Sequence, residues 1–248
     1  MNFKTNMITS TLLAAGFSLL AGSAAAQTCV ANNCAALGFT KSADNCEGDI
    51  IRCPFDTSKV FCKEKEVYVM EAGDILYSDG TISDSVIASK TPVGIVAYVN
   101  GSTGFAVALS ESSQTWGGYG SDVSCLGHIA SGAASADMNG RVNTQCLVSD
   151  SQTHPAANYC NTFSAVSNGK GSSGWYLPAA GELKAMSYSY GAINLGLQKL
   201  SKTQIPSNYY WSSSEDGNHY ALNIRPSDGG IGLAYKSISF PVRCILAL

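Results

Sequence analysis

The residues best suited to chemistry lie near the C-terminus. The stretch "NYYWSSSEDGNHYALNIRPSDGG", residues 208–230, sets tyrosines beside Ser, Asn, His, Glu, Asp and Arg. On strands, alternate side chains face the core and the solvent. Exposed Tyr, Ser and Asn make adaptable contacts at low entropic cost, the composition of a binding surface. Tyr209, Ser213, Glu215, Asn218, His219, Tyr220, Asn223, Arg225 and Asp228 are therefore the candidate ligand contacts, with Trp211 assigned to the core. Glu215, Asp216 and Asp228 could share a calcium ion with carbonyls and Asn side chains. They serve equally well as turn residues, since "EDGN" and "SDGG" are strong turns. The spacing is not diagnostic of a calcium loop, and no cofactor is assigned.

Catalytic constellations are harder to build. The histidines, His128, His154 and His219, are far apart in sequence, and neither G-x-S-x-G nor H-E-x-x-H occurs. His154 lies six residues before Cys160, a spacing open to a Cys–His nucleophile pair. Cys160 falls on the apolar face of an expected helix in an exported chain, which favours a disulfide over a reactive thiol. "GKGSSG" fits G-x-G-x-x-G at Gly169, Gly171 and Gly174. A dinucleotide site needs a strand before those glycines and a helix after them. Here a helix precedes and a strand follows, so the helix N-terminus that holds a pyrophosphate is missing. The motif reads as a flexible connection.

The compartment follows from the first residues. Lys4, the apolar run "MITSTLLAAGFSLLAG" and Ala24-x-Ala26 form a cleavable export signal over 1–26, with a mature start near Gln27. No later segment is long and apolar enough to span a bilayer. Nine cysteines follow, Cys29, Cys34, Cys46, Cys53 and Cys62, then Cys125, Cys146, Cys160 and Cys244. In an exported chain they read as disulfides. The first set is odd, so one thiol is free or pairs elsewhere. No C-x-x-C occurs, which argues against zinc. With 15 basic and 18 acidic residues there is no electrostatic footprint for nucleic acid. Charged residues make up only 13% of the 248, and Gly, Ser, Asn and Thr fill the gap, as in extracellular β-rich proteins.

The elements that must position these residues come in two parts. Residues 27–65 are cysteine-dense and poor in large apolar side chains, so disulfides replace a core. Residues 67–110 carry β-branched and aromatic runs, with a hairpin at Asp79-Gly80. Residues 111–153 are Gly-, Ser- and Ala-rich and read as long loops, tied by Cys125 and Cys146 if those two pair. "HPAANYCNTFSAVSNGK" predicts a helix ended by Asn168-Gly169, "GWYLP" a short buried strand, and "GELKAMSYSYGAINLGLQKL" a second helix broken near Gly191. Four strands close the chain: "NYYWSS", "YALNI", "GIGLAY" and "FPVRCIL".

The ordered set "AANYC…GWYLPAAGEL…YYWSSSE…YALNI…SDGGIG…PVRCI" resembles the C-terminal domain of bacterial exported proteins in the DUF1566 group. That group has Legionella collagen-like (Lcl) C-terminal relatives and is similar to the Fibrobacter major paralogous domains. The match covers roughly 67–248 and is best from 155 onward. The resemblance implies an α+β, C-type-lectin-like fold, with two helices packed on mixed, mainly antiparallel sheets. It implies a long disulfide between Cys160 on the first helix and Cys244 in the last strand. It also makes "GWYLP" the central strand, with Trp175 and Leu177 facing the core and Leu183 and Met186 packing beneath the sheet. "IPSN" and "WSSSED" depart from the calcium-binding motifs of sugar-binding members. Cys244 stands alone where formylglycine-generating enzymes of the broad fold have a cysteine pair.

The resulting expectation is a non-enzymatic, secreted, periplasmic or surface-exposed binding or adhesion protein. Its partner would be a glycan or a cell-surface protein. The competing readings are a structural envelope component, a divergent enzyme, and a binding protein diversified by a retroelement.

Overall fold

The computed structural model describes Cys34 and residues 41–42, 49–54, 56–63 and 68–248. The expected export signal and the partner of the odd cysteine lie outside the described residues. The chain divides into two units between Tyr68 and Val69.

In the first unit β1 (Lys41–Ser42), β2 (Asp49–Arg52) and β3 (Lys59–Lys63) form an antiparallel sheet in the order β1-β3-β2. Val60 and Cys53 are buried, but Ile50, Ile51 and Phe61 are exposed. So small an apolar interior needs covalent support. Cys34 is bridged to Cys53, and Cys62 is disulfide-bonded as well. Closing the 19-residue separation between Cys34 and Cys53 stabilises by about 3 kcal/mol in the chain-entropy model.

The second unit is built on a six-stranded antiparallel sheet. Its strands are β4 (Ile75–Tyr77), β5 (Ile82–Ser83), β6 (Pro92–Asn100), β7 (Thr103–Ala108), β9 (Trp175–Tyr176) and β14 (Ile245–Ala247). They run in the order β5-β4-β6-β7-β14-β9. β4 and β5 are joined by the expected turn: Gly80 has φ +85°, and Asp79 Oδ1 accepts the Thr81 N–H at 3.0 Å. β6 and β7 are joined through Gly101-Ser102, with Asn100 opposite Thr103.

Two apolar clusters lie on opposite faces of this sheet, and the period of two along the strands divides their residues between them, except at the β6 irregularity opposite Leu76 and Tyr77, which sends Val93 and Ile95 to different faces. Ile75, Tyr77, Ile95, Phe105, Val107, Tyr176 and Ile245 enter one. Leu76, Val93, Ala106, Ala108, Trp175, Leu177 and Leu246 enter the other. The first is covered by α3 (Ala180–Ser187) and α4 (Tyr190–Lys199) through Leu183, Met186, Ile193 and Leu197. The second is covered by α1 (Gly140–Ser149) and α2 (Pro155–Thr162) through Leu147, Ala156, Ala157 and Cys160. Because both faces are covered, Val93–Ala97 is an unbroken buried run.

A second sheet, β10 (Tyr210–Glu215), β11 (Tyr220–Arg225) and β12 (Gly230–Tyr235), continues the same division. Tyr210, Leu222 and Ile224 join the first cluster, Trp211 and Ala221 the second. A two-stranded ribbon pairs β8 (Ser112–Thr115) with β13 (Ser239–Val242).

Cys160 bonds to Cys244, across a separation of 84 residues, and Cys125 bonds to Cys146. The described unit is therefore α+β and antiparallel, with disulfides that fit an oxidising compartment. No helix among the described residues is long and apolar enough to cross a membrane.

Three expectations need correction. Residues 111–153 are not all loop: α1 occupies 140–149. The helix at Pro155 stops at Thr162, well before Asn168-Gly169. "GWYLP" is an edge strand, since β9 pairs only with β14. Its outer edge is sealed by a side chain. Thr144 Oγ1 accepts the Leu177 N–H at 2.9 Å and donates its proton to Gly140 O at 2.7 Å, with Leu177 O 3.2 Å away. A sheet edge satisfied from a helix is not open to a further strand.

Candidate binding surface

The site is best built from the loop that follows β8. Trp116 is buried, and its Nε1 donates to Ser212 O at 2.8 Å. The chain then passes Gly117 and Gly118, with φ +91° and +61°. A Cβ on Gly117 would lie 2.0 Å from Thr153 O, so only glycine allows this approach. Beneath the loop Lys236 is paired with Glu215, and neither side chain reaches solvent. Burying two charges is costly unless further hydrogen bonds accompany the pair. Both Glu215 oxygens lie 3.2 Å from the Val123 N–H, Lys236 Nζ donates to Ser121 O at 2.8 Å, and the ammonium sits 4.7 Å from the Trp116 ring centre. The Cys125–Cys146 bridge ties the same loop to α1.

This clamp brings three segments together at the surface. Gly117 N–H donates to Lys236 O at 3.1 Å, and Gly120 N–H donates to Asn218 O at 2.8 Å. Tyr119 therefore stands beside the 216–219 turn and the end of β12. Its ring lies edge-on to His219 at 4.9 Å and to Tyr235 at 5.9 Å. Tyr220 and Tyr235 face each other across β11 and β12, with centroids 4.7 Å apart and planes inclined by 26°. Tyr119 is 52% exposed, Tyr235 45% and Tyr220 37%. Leu222 and Ile224 follow Tyr220 on the same face of β11 but are buried, in the cluster that includes α3. The ring cluster thus begins where the interior ends. The Tyr220 hydroxyl is held above its ordinary pKa, first by its hydrogen bond with Tyr235. The cluster offers stacked apolar faces rimmed by hydroxyls, an imidazole and the Asn218 amide, chemistry suited to a polar ligand with flat apolar surfaces.

The nine candidates do not converge on one point. Asn218, His219 and Tyr220 belong to this cluster. Tyr209, Arg225 and Asp228 lie at the other end of β11, about 17 Å away along the strand. There Arg225 grips Asp228 with two arms, Nε to Oδ1 at 2.9 Å and Nη2 to Oδ2 at 2.6 Å. The guanidinium also lies over Tyr209 at 5.2 Å. The Arg225 hydrogen bonds hold the Asp228 carboxyl below its usual pKa.

Ser213, Glu215 and Asn223 are a correction: all three are buried and are not surface contacts. β10 is covered by α1 and α3, and Ser213 N–H donates to Pro178 O at 2.8 Å. Two of its three buried serines bond to partners there, whereas Ser213 Oγ has none among the described residues. Ser212 Oγ donates to Leu222 O at 2.7 Å, and Ser214 Oγ to Asp137 Oδ2 at 2.5 Å.

Glu215, Asp216 and Asp228 are not brought together either, since Glu215 and Asp228 sit at opposite ends of the hairpin. A different set, Asp122, His128 and Glu215, does place its ligand atoms within 4.8 Å of one another. Glu215 already holds Lys236, so a cation there would compete with an ammonium. The Cys160–His154 nucleophile reading fails because Cys160 is disulfide-bonded. His154 is buried beside Trp116, with Asp150 Oδ2 2.9 Å from its Nε2.

A scan against protein-family models found no match, and no curated protein was found to match the sequence. Among solved structures the chain is similar to a fimbrial protein from Bacteroides ovatus, with a TM-score of 0.56 and 18% sequence identity. The alignment covers 71% of this chain and 48% of that one, so this chain spans about half the length of the fimbrial protein. At that identity the likeness concerns the fold.

Beyond the ring cluster lies a buried acid network that the sequence reading did not single out. Asp137 accepts from Asn143 Nδ2 at 3.0 Å and from Ser214. Glu182 accepts the Ala179 N–H at 2.8 Å and the Tyr176 hydroxyl at 3.1 Å. Burial pushes the Glu182 carboxyl up to about 7 against these hydrogen bonds, and Asp137 adds to the rise. The available signal was Glu182, three residues after the helix N-cap, where a carboxylate reaches back to the backbone. Tyr119 and Tyr235 were missed as well, because one sits in a glycine loop and the other closes a strand.

Proposed function

We propose that the protein is a non-enzymatic, exported adhesion or ligand-binding protein whose second unit presents the Tyr119–His219–Tyr220–Tyr235 cluster to a glycan. The observation that carries this reading is a cluster of three half-exposed tyrosines, Tyr220 stacked on Tyr235 and Tyr119 edge-on to it, held over a buried ion pair. Aromatic side chains of this kind supply large, rigid contact area at little entropic cost. A sugar ring matches such a surface because it has an apolar face and a polar rim. The resemblance to the DUF1566 and Lcl group, with the C-type-lectin-like fold it implies, and the likeness to a fimbrial protein both favour a surface-attached binder.

The test is a glycan array probed with the purified protein, with calcium and with chelator, beside a Tyr220→Ala/Tyr235→Ala variant. Binding that the variant loses and the chelator does not affect supports the reading. Calcium-dependent binding overturns the tyrosine-cluster site and moves the search to a site of oxygen ligands. Absence of binding to any glycan overturns the glycan assignment and directs the search to surface proteins.

A further inference from the structure

Two outer sheet edges of the second unit are occupied. β9 is sealed by Thr144. The outer edge of β10 bonds to other backbone, with the Ser213 N–H on Pro178 O at 2.8 Å and the Ile129 N–H on Glu215 O at 2.7 Å. β12, the last strand of the β10-β11-β12 sheet, pairs only with β11 among the described residues. In an antiparallel pair, residues alternate between exchanging hydrogen bonds with the partner strand and turning both backbone groups away from it. Lys236 N–H donates to His219 O at 3.0 Å, which makes that pair a bonded one. Ala234 and Gly232, opposite Ala221 and Asn223, are then bonded as well. The carbonyls of Tyr220 and Leu222 agree with this phase. They turn toward β10 and accept from the Asp216 N–H at 3.1 Å and from Ser212 Oγ at 2.7 Å. Ile231, Leu233 and Tyr235 therefore direct N–H and C=O away from β11. Of these outward groups only Tyr235 O has a hydrogen-bond partner among the described residues, the Ile238 N–H at 2.9 Å.

An open edge is a template for a further strand, and proteins that keep one unpaired blunt it with lysine, proline or a bulge. β12 has none of these. It is six residues long, "GIGLAY", without charge or proline, and its register with β11 is unbroken from Gly230 to Tyr235. Leu233 is 46% exposed, on the same face as the exposed ring of Tyr235. The strand is also complementary to itself. Paired antiparallel with its own copy about Leu233, it sets Leu233 opposite Leu233 and Ile231 opposite Tyr235. Each outward-facing residue then meets another outward-facing residue, so the unpaired backbone groups satisfy one another. An aromatic ring opposite a β-branched side chain is a favourable cross-strand pair. On the other face Gly232 meets Ala234, and both are small. No charge faces a charge along the strand in this register.

We propose that β12 is a self-association edge, on which a second copy of this chain pairs its own β12 in antiparallel register about Leu233. The contact is isologous: the same patch serves on both copies, related by a two-fold axis. That axis passes through Leu233 perpendicular to the sheet, so both copies show the same face on one side. The sheet becomes continuous, β10-β11-β12 of one copy followed by β12-β11-β10 of the other. It then carries two tyrosine clusters on one surface. A ligand with repeating units is held at two points, with a gain from effective concentration. That gain rests on the binding surface proposed above; the strand pairing does not.

The experiment is sedimentation velocity of the purified, oxidised protein from micromolar to millimolar concentration, with amide hydrogen exchange read by NMR at low and high concentration. The expected result is a reversible monomer–dimer equilibrium. The Ile231, Leu233 and Tyr235 amides should exchange slowly only in the dimer. Those of Gly232 and Ala234, bonded to β11, should be protected at both concentrations. Leu233→Lys sets two ammonium groups opposite each other at the axis, and such like-charge contact should raise the dissociation constant about a hundredfold or more. Leu233 is half-exposed, so this variant should keep the wild-type urea midpoint. If it does not fold, the exchange pattern of the wild type still decides. A protein that stays monomeric overturns the proposal. So does a dimer in which the Leu233 amide exchanges as fast as in the monomer, or a folded Leu233→Lys variant that dimerises as well as the wild type. No glycan is present in this experiment, so its outcome and that of the glycan array are independent.

Discussion

Glu215 and Lys236 form an ion pair sealed from solvent, and the two residues belong to the two outer strands of one sheet: Glu215 ends β10 and Lys236 follows β12. Its ligands are the backbone of the loop that carries Tyr119. The pair therefore links the inside of the sheet to the shape of the surface. Removing one partner leaves an uncompensated buried charge, a loss of about 3–5 kcal/mol. Lys236→Met and Glu215→Leu should each lower the urea midpoint by that equivalent. The double variant should recover much of the loss. If the single variants are as stable as the wild type, the pair is not closed to water. Proteolysis between Gly117 and Val123 should quicken in step with the loss.

The Glu182 carboxyl is a reservoir of pH dependence. Its pKa in the fold is about 7, against 4.5 for the ordinary value. A carboxyl with a raised pKa binds more protons when folded, so its contribution is fully present below pH 4.5 and is lost as pH rises through 7. The loss reaches about 3 kcal/mol at the upper end. Glu182→Gln keeps the shape and an acceptor for the Ala179 N–H. Stability of the variant relative to wild type should therefore rise between pH 4.5 and 7 and level off above. Asp79, Asp150 and Asp228 are shifted the opposite way, so the difference between the two proteins is the quantity to measure. A flat difference across that window would show that Glu182 ionises freely.

The Cys160–Cys244 bridge was implied by the family resemblance, and the structure makes it. Loop closure over 84 residues is worth about 4.5 kcal/mol in the chain-entropy model. A Cys160→Ala/Cys244→Ala variant should unfold at a correspondingly lower denaturant concentration with an altered slope, since the denatured chain becomes less restricted. Loss of Cys125–Cys146 should cost less, because it closes a separation of only 21 residues. If the two variants lose equal stability, the chain-entropy account fails for this protein.

What the sequence made legible was local. The strand at "YALNI" was legible as a β-branched and aromatic run, but its alternation did not place Asn223, expected as a ligand contact and found buried. The Asp79-Gly80 turn and the break near Gly191 were legible because glycine marks the backbone directly. What failed depended on distant partners. α1 was unreadable because its buried side includes Asn143 and Thr144. Those polar residues are accepted there only because Asp137 and Leu177 lie opposite. The serines of β10 looked solvated because nothing in "WSSSE" announces Leu222 O or Asp137 as their acceptors. Tyr119 is close to Tyr235 only through a loop clamp whose two charges are 21 residues apart. Such a cluster cannot be assembled from spacing.

The face of β11 supplies the sharpest separation of surface from core. Tyr220 and Leu222 are two residues apart on the same face, yet one is half-exposed and the other fully buried. Leu222→Ala should cost about 2–5 kcal/mol, through lost apolar contact and the cavity left behind. Tyr220→Ala removes a ring that rests mainly on another exposed ring, Tyr235. It should leave the denaturation midpoint unchanged while the near-ultraviolet tyrosine signal drops. The paired variant Tyr220→Ala/Tyr235→Ala should behave the same way, because both rings lie outside the clusters that hold Leu222. Equal destabilisation by the Tyr220 and Leu222 substitutions would place the tyrosines in the core and remove the surface on which the proposed binding rests.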